Sequence, residues 1–141
     1  MAPQKAAITT HVLDQATGSP APNIEVRLQH STAERDCFFG TTDQDGRISN
    51  WRMLRKDHQG IVINNPSVDY PEQANDRINN MIDEEGGWNL TFDTNLYFEA
   101  QGKKSVWSNI SLNFETVRGD RGHWHMPVLL GQFGYTAYRG S

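Results

Sequence analysis

With 141 residues, 36% of them hydrophobic, the chain is long enough to enclose one core and short enough to do so as a single domain spanning 1–141. A formal charge of −4 argues against a basic, phosphate-gripping surface and so against nucleic acid as a partner, and no apolar run approaches a membrane span. The lone cysteine, Cys37, has no internal disulfide partner, the N-terminus lacks the apolar stretch of a signal peptide and the C-terminus lacks the SKL address, which together point to the cytoplasm with the peroxisome left open.

Period-two alternation dominates the chain. A first strand is expected over Ala7 to Asp14, followed by turn signals from Gln15 to Pro22. In Ile24 to His30 the apolar Ile24, Val26 and Leu28 alternate with Glu25, Arg27 and Gln29, as in a half-buried antiparallel strand. Cys37 to Thr42 and Ile48 to Leu54 predict two more strands, separated by the turn Asp43-Gln44-Asp45-Gly46. The stretch from Arg55 to Gly87 has no strand pattern and is longer than a loop in a compact domain. It reads as an inserted loop carrying one amphipathic helix that starts at Pro71, aligns Ala74, Ile78, Met81 and Ile82 and stops at Gly86-Gly87. As an insertion between strands it is expected to decorate the surface, away from the residues that carry chemistry. Beyond it come a strand at Trp88 to Phe92, a short helix at Thr94 to Gln101, and strands at Asn109 to Glu115, His123 to Leu130 and Tyr135 to Arg139. Eight short strands at this spacing predict a β-sandwich.

The side chains suited to acid–base and anion chemistry gather at strand ends. His123 and His125 share one face of their strand, and His11 shares a face with Thr9 and Leu13 of the first. Arg47 follows the Asp45-Gly46 turn, and Tyr138 and Arg139 close the last strand. Imidazoles titrate near neutrality and can take a proton from water, while a guanidinium can hold a planar anion or an oxyanion. The same three histidines would also suit an open tetrahedral zinc centre. His30 and His58 have no such company, and Cys37 lacks basic neighbours that would activate it.

The segments ITTHVLDQATGSPA, TTDQDGRI, LTFDTNLYFEAQG and HWHMPVLLGQFGYTAYRGS, in this order, resemble the 5-hydroxyisourate hydrolase family, the transthyretin-related enzymes. The closing YRGS is the motif that separates these hydrolases from the hormone-carrying transthyretins. The resemblance implies an all-β, transthyretin-like (prealbumin-like) sandwich of two four-stranded antiparallel sheets with one short helix. It also implies a homotetramer, a dimer of dimers with active sites in a central channel. The implied reaction is hydrolysis of 5-hydroxyisourate to 2-oxo-4-hydroxy-4-carboxy-5-ureidoimidazoline in urate degradation, with no cofactor and no metal.

By that resemblance His11, Arg47 and His125 are the catalytic set, and His11, Arg47, Tyr138, Arg139 and Ser141 touch substrate. His123 supports them from behind. The two expected bases, His11 and His125, are not distinguished from each other. Three departures from the family pattern stand out: Trp124 within His-Trp-His, Gly131-Gln132 in the following turn, and the insertion. Alternation turns Trp124 away from the histidines, so none of the three removes a catalytic group. A non-enzymatic carrier of an apolar ligand is the competing reading, as is a zinc-dependent hydrolase built on His11, His123 and His125.

Overall fold

The computed structural model describes residues 5–65 and 71–140. Two sheets pack face to face, as the alternation predicts. The first is built on β1 (Ile8–Asp14), which pairs with β9 (Trp124–Leu130); β10 (Tyr135–Ala137) continues the sheet on the far side of β9. The other edge of β1 is shared by two short strands, β2 (Ser19–Pro20) against its end and β5 (Arg47–Ile48) against its middle. The second sheet runs β6 (Arg52–Arg55), β4 (Asp36–Thr41), β3 (Glu25–His30), β7 (Gly87–Phe92) and β8 (Ile110–Glu115).

Three details differ from expectation. Each sheet has five strands rather than four, because the two-residue β2 and the divided β5/β6 segment add members. The pair β1–β9 is parallel, with Thr9 beside His125 and His11 beside Pro127, although every other strand pairing among the described residues is antiparallel. The segment Ile48 to Leu54 is not one strand. It leaves the first sheet after Ile48 and enters the second at Arg52, and Trp51 between them is fully buried. The burial of Ile48, Trp51 and Met53 breaks period two, which is the trace a chain leaves on crossing between sheets. The Trp51 indole N–H donates to the Ile8 carbonyl at 2.8 Å, tying the crossing to β1.

The core forms from the inward positions of both sheets, Ile8, Val12 and Val128 from one and Val26, Leu28, Phe38, Trp88 and Leu90 from the other. The short helix is α2 (Asn95–Glu99), within the predicted Thr94 to Gln101. Its Tyr97 hydroxyl donates to Asp14 Oδ2 at 2.7 Å. Burial, then the hydrogen bond to Asp14, push the Tyr97 phenol up to about 12.

The insertion behaves differently from a surface decoration. Its helix α1 (Pro71–Met81) begins at the predicted proline but ends at Met81, ahead of Gly86-Gly87. Ala74, Ile78, Met81 and Ile82 are essentially fully buried and belong to the main core. Burying three such large side chains is worth about 1.5–3 kcal/mol each. Polar anchors fix the docking: Asn75 Oδ1 accepts from the Trp51 backbone N–H at 3.1 Å, and Arg77 joins Arg55 on the buried Asp36 carboxylate at 3.1 and 3.3 Å. In the last turn of the helix, Asn79 accepts from the Ala7 N–H at 2.7 Å and donates to the Lys5 carbonyl at 2.8 Å. The insertion thus reaches the start of β1, two residues from Thr9.

Candidate active site

Arg47 owes its place to the turn before it. Asp43 Oδ1 accepts the backbone N–H groups of Asp45 and Arg47 at 2.9 and 3.0 Å, and Gly46 adopts a positive φ of 75° that an L side chain resists. The turn delivers Arg47 directly opposite His11 in the β1–β5 register. On the other edge of β1, the parallel β9 brings His125 alongside Thr9, and the His11 and His125 ring centres lie 6.5 Å apart. Three segments remote in sequence therefore place two imidazoles and a guanidinium on the outer face of one sheet.

An open cavity of about 740 Å³ occupies this face, within the range of small-molecule sites. Thr9, Arg47, His123 and His125 line it, with Asn79 and Ile82 from the insertion and Lys5 and Arg121 at its rim. His11 stands just beyond the lining. Arg121 is itself fixed to the insertion, donating to the Asn79 carbonyl at 3.0 Å and pairing with Asp83 at 3.3 Å. The expectation that the insertion lies away from every motif is therefore corrected: α1 supplies part of the cavity wall.

The surroundings of His11 and His125 favour the neutral form of each imidazole. Burial is the main force that lowers His125, reinforced by the positive charge of His123, Arg47 and His11. Burial also leads for His11, with Arg47 adding to it, while a hydrogen bond to the Asp45 backbone and the nearby carboxylates of Asp43 and Asp45 work the other way. Thr9 Oγ1 lies 2.7 Å from His125 Nδ1 and 2.8 Å from His123 Nε2, a hydroxyl bridging two imidazoles. The cavity can thus offer lone pairs on neutral imidazoles beside a permanent cation, the requirement for activating water next to an anion-stabilising group.

The closing motif takes a different position. Gly140 bridges to β9, its N–H donating to the His125 carbonyl at 2.7 Å. The Arg139 guanidinium lies 3.4 Å above the Trp124 ring, with Nη2 donating to the His123 carbonyl at 3.2 Å and forming an ion pair with Asp120 at 3.8 Å. Arg139 is thus on the Trp124 side of β9, opposite the histidines, and Trp124 points inward as alternation predicts. Tyr138 is exposed, and neither it nor Arg139 lines the cavity. Ser141 lies outside the described residues. Among the described residues, no group of three or more His, Cys, Asp or Glu side chains is placed to hold a metal ion.

Reasoning on the sequence put Thr9 on the His11 face but gave it no role, and it missed Asn79 and Arg121. The signal for Asn79 was present: Asn75, Asn79 and Ile82 follow the i, i+4, i+7 spacing of the helix's buried side. His30 has no part in the cavity. It is buried against the edge of Trp88 and bonded through Nδ1 to the Thr32 hydroxyl at 2.8 Å, and burial lowers its pKa.

Two facing sheets with a histidine–arginine cluster on the outer side of one define a transthyretin-like sandwich equipped for acid–base chemistry. The chain belongs to the HIUase/Transthyretin family, whose model matches residues 8–140. It is 32% identical over 136 residues to the 5-hydroxyisourate hydrolase of Salmonella typhimurium, covering 95% of this chain and 80% of that protein. With the mouse 5-hydroxyisourate hydrolase it shares 30% identity over 141 residues and the full length of both chains. In structure it is similar to the Klebsiella pneumoniae 5-hydroxyisourate hydrolase, with a TM-score of 0.61 and 26% identity over 95% of this chain and 97% of that one. Transthyretin from Sparus aurata matches the fold with a TM-score of 0.62 at 21% identity, over 94% and 95% of the two chains.

Proposed function

We propose that the protein hydrolyses 5-hydroxyisourate to 2-oxo-4-hydroxy-4-carboxy-5-ureidoimidazoline. The observation that carries this reading is the convergence of Arg47 and His125 at one cavity with His11 beside them, in a chain about 30% identical to relatives named for that activity over nearly its whole length. A carrier of apolar ligands has no use for a cation flanked by two imidazoles. His11 and His125 form the pair that binds and deprotonates the attacking water. The proton passes to an imidazole, the hydroxide adds to the ring carbonyl, and Arg47 faces the negative charge that grows on that carbonyl oxygen. Collapse of the tetrahedral intermediate breaks the ring C–N bond as the imidazolium returns its proton to the leaving nitrogen, and the new carboxylic acid ionises to a carboxylate on the opened product. Lys5 and Arg121 at the rim add positive charge, which favours an anionic substrate.

Tyr138, Arg139 and Ser141 complete the site in a homotetramer, where the channel draws on more than one subunit. Support for the assembly comes from β10 and β8, which end the two sheets, and from Phe133, Trp107 and Leu96, large apolar side chains left exposed. Sedimentation would then give about four times the 16.0 kDa chain mass.

The deciding experiment follows the ultraviolet decay of freshly generated 5-hydroxyisourate with and without a chelator. The protein should accelerate the decay, chelator should leave the rate unchanged, and Arg47→Ala or His125→Ala should each lower it about 10²–10⁴-fold. Loss of rate with chelator would favour a zinc centre on His11, His123 and His125 instead.

A further inference from the structure

We propose that Thr9 is a positioning residue that fixes the tautomer of His125, holding its proton on Nδ1 and leaving Nε2 bare as the proton-accepting atom, with His123 as the far end of the same chain of hydrogen bonds. The inference rests on the hydrolase reading above and goes beyond it by naming how one of its bases is kept in the working form.

The geometry leaves few arrangements. Thr9 Oγ1 is within 2.8 Å of His123 Nε2 and 2.7 Å of His125 Nδ1. With both rings neutral, the single hydroxyl proton serves one nitrogen, and the other nitrogen must donate to the oxygen. In the first arrangement the hydroxyl donates to His123 Nε2 and His125 Nδ1–H donates to Thr9. His125 Nε2 then carries a lone pair. The second arrangement reverses both bonds and places a hydrogen on His125 Nε2, which disables that atom as a base.

The surroundings select the first. Arg47, which pairs with His11 in the β1–β5 register, is a permanent cation acting on the His125 ring, whose centre lies 6.5 Å from that of His11. In the field of that cation a lone pair on His125 Nε2 is favoured over an N–H dipole. His123 is exposed, so solvent readily satisfies the Nδ1–H that the first arrangement gives it. Thr9 is buried, so water does not compete for its hydroxyl. The register of the parallel β1–β9 pair sets Thr9 beside His125, so the bridge is built into the backbone pairing.

The bonds also give a balanced path for the proton. When His125 Nε2 takes a proton from water, its Nδ1 proton can move to Thr9 Oγ1 as the hydroxyl proton moves to His123 Nε2. The positive charge then rests on His123, and the same transfers run in reverse when His125 Nε2 hands its proton to the leaving ring nitrogen, which restores the Nδ1–H form of His125.

The test uses the full-length protein, Thr9→Val and Thr9→Ser. Long-range ¹⁵N–¹H spectra of the imidazoles at pH 7.5 should show His125 as the Nδ1–H tautomer in the unaltered protein and in Thr9→Ser, and a mixture in Thr9→Val. Turnover of 5-hydroxyisourate should fall about tenfold or more in kcat for Thr9→Val with KM little changed, and recover in Thr9→Ser. A His125 signal of the Nε2–H form in the unaltered protein overturns the proposal, even if Thr9→Val does not fold. So does a Thr9→Val protein with undiminished kcat. Were the unaltered protein inactive, the hydrolase reading would fail, while the spectra would still decide the tautomer.

Discussion

Gly46→Ala offers a sharp test of how the fold delivers Arg47 to His11. Two costs are separable. The first is conformational: φ at Gly46 is 75°, where an L residue costs about 1–2 kcal/mol. The second is steric. A Cβ there would lie 2.4 Å from the Val12 carbonyl oxygen and 3.1 Å from the Ala21 nitrogen, both backbone atoms with little freedom to retreat. The Gly46 carbonyl also accepts from the Val12 N–H at 2.8 Å, so any retreat pulls β1 away from the turn. Overpacking of this kind adds about 1–3 kcal/mol, giving a total of about 2–5. Gly18→Ala is the matched control, since Gly18 has φ of 70° but nothing within 4 Å of its Cβ position. It should lose only the conformational part. Urea titrations of both variants measure the difference, and ring-opening rates should show Gly46→Ala impaired beyond its stability loss because Arg47 shifts. Equal destabilisation of the two variants would refute the steric account of this turn.

Other expectations follow from the same geometry. Ile78→Ala should destabilise the protein by about 2–5 kcal/mol in urea, as a core substitution does, and a loss under 0.5 kcal/mol would return the insertion to surface decoration. For the same reason, removing residues 64–86 should unfold the sandwich rather than leave turnover intact. Because His11 and His125 both sit below their ordinary value of 6.5, the base forms persist below that pH, and the acid limb of kcat/KM should fall under pH 6.5; a limb above 7 would contradict it. The same depressed values, with that of His30, make the unfolded chain bind protons first. Stability contributed by these groups is complete above pH 6.5 and is lost as pH falls through the lower folded values, which urea midpoints between pH 7.5 and 5 would reveal. A tag added after Ser141 should impair turnover more than one before Met1, since Gly140 is hydrogen-bonded to the backbone of His125; equal tolerance would separate the chain end from the site.

The sandwich was legible because alternation and turn chemistry are local. Ile24 to His30 and Asn109 to Glu115 show their buried faces at every second residue, and both are strands within a residue of the expected limits. Ile48 to Leu54 was misread because its apolar residues serve two sheets in turn, and a crossing has no period of its own. The helix of the insertion was visible in Ala74, Ile78, Met81 and Ile82, but its destination was not. Amphipathicity says that a face will be buried and is silent about what covers it.

The sequence by itself determined the strand-rich architecture, the family resemblance, and the short set of His11, Arg47, His123 and His125 as the residues suited to proton and oxyanion chemistry. Only the tertiary structure decided that β1 and β9 run parallel, which sets the Thr9 hydroxyl between two imidazoles. It alone carried Arg139 to the Trp124 side of β9 and brought Asn79 of the insertion to the cavity wall. The physical reason is that side-chain identity and periodicity are encoded along the chain, whereas a hydrogen bond between residues 9, 123 and 125 depends on which strand edges meet, a choice made by the packing of the whole core.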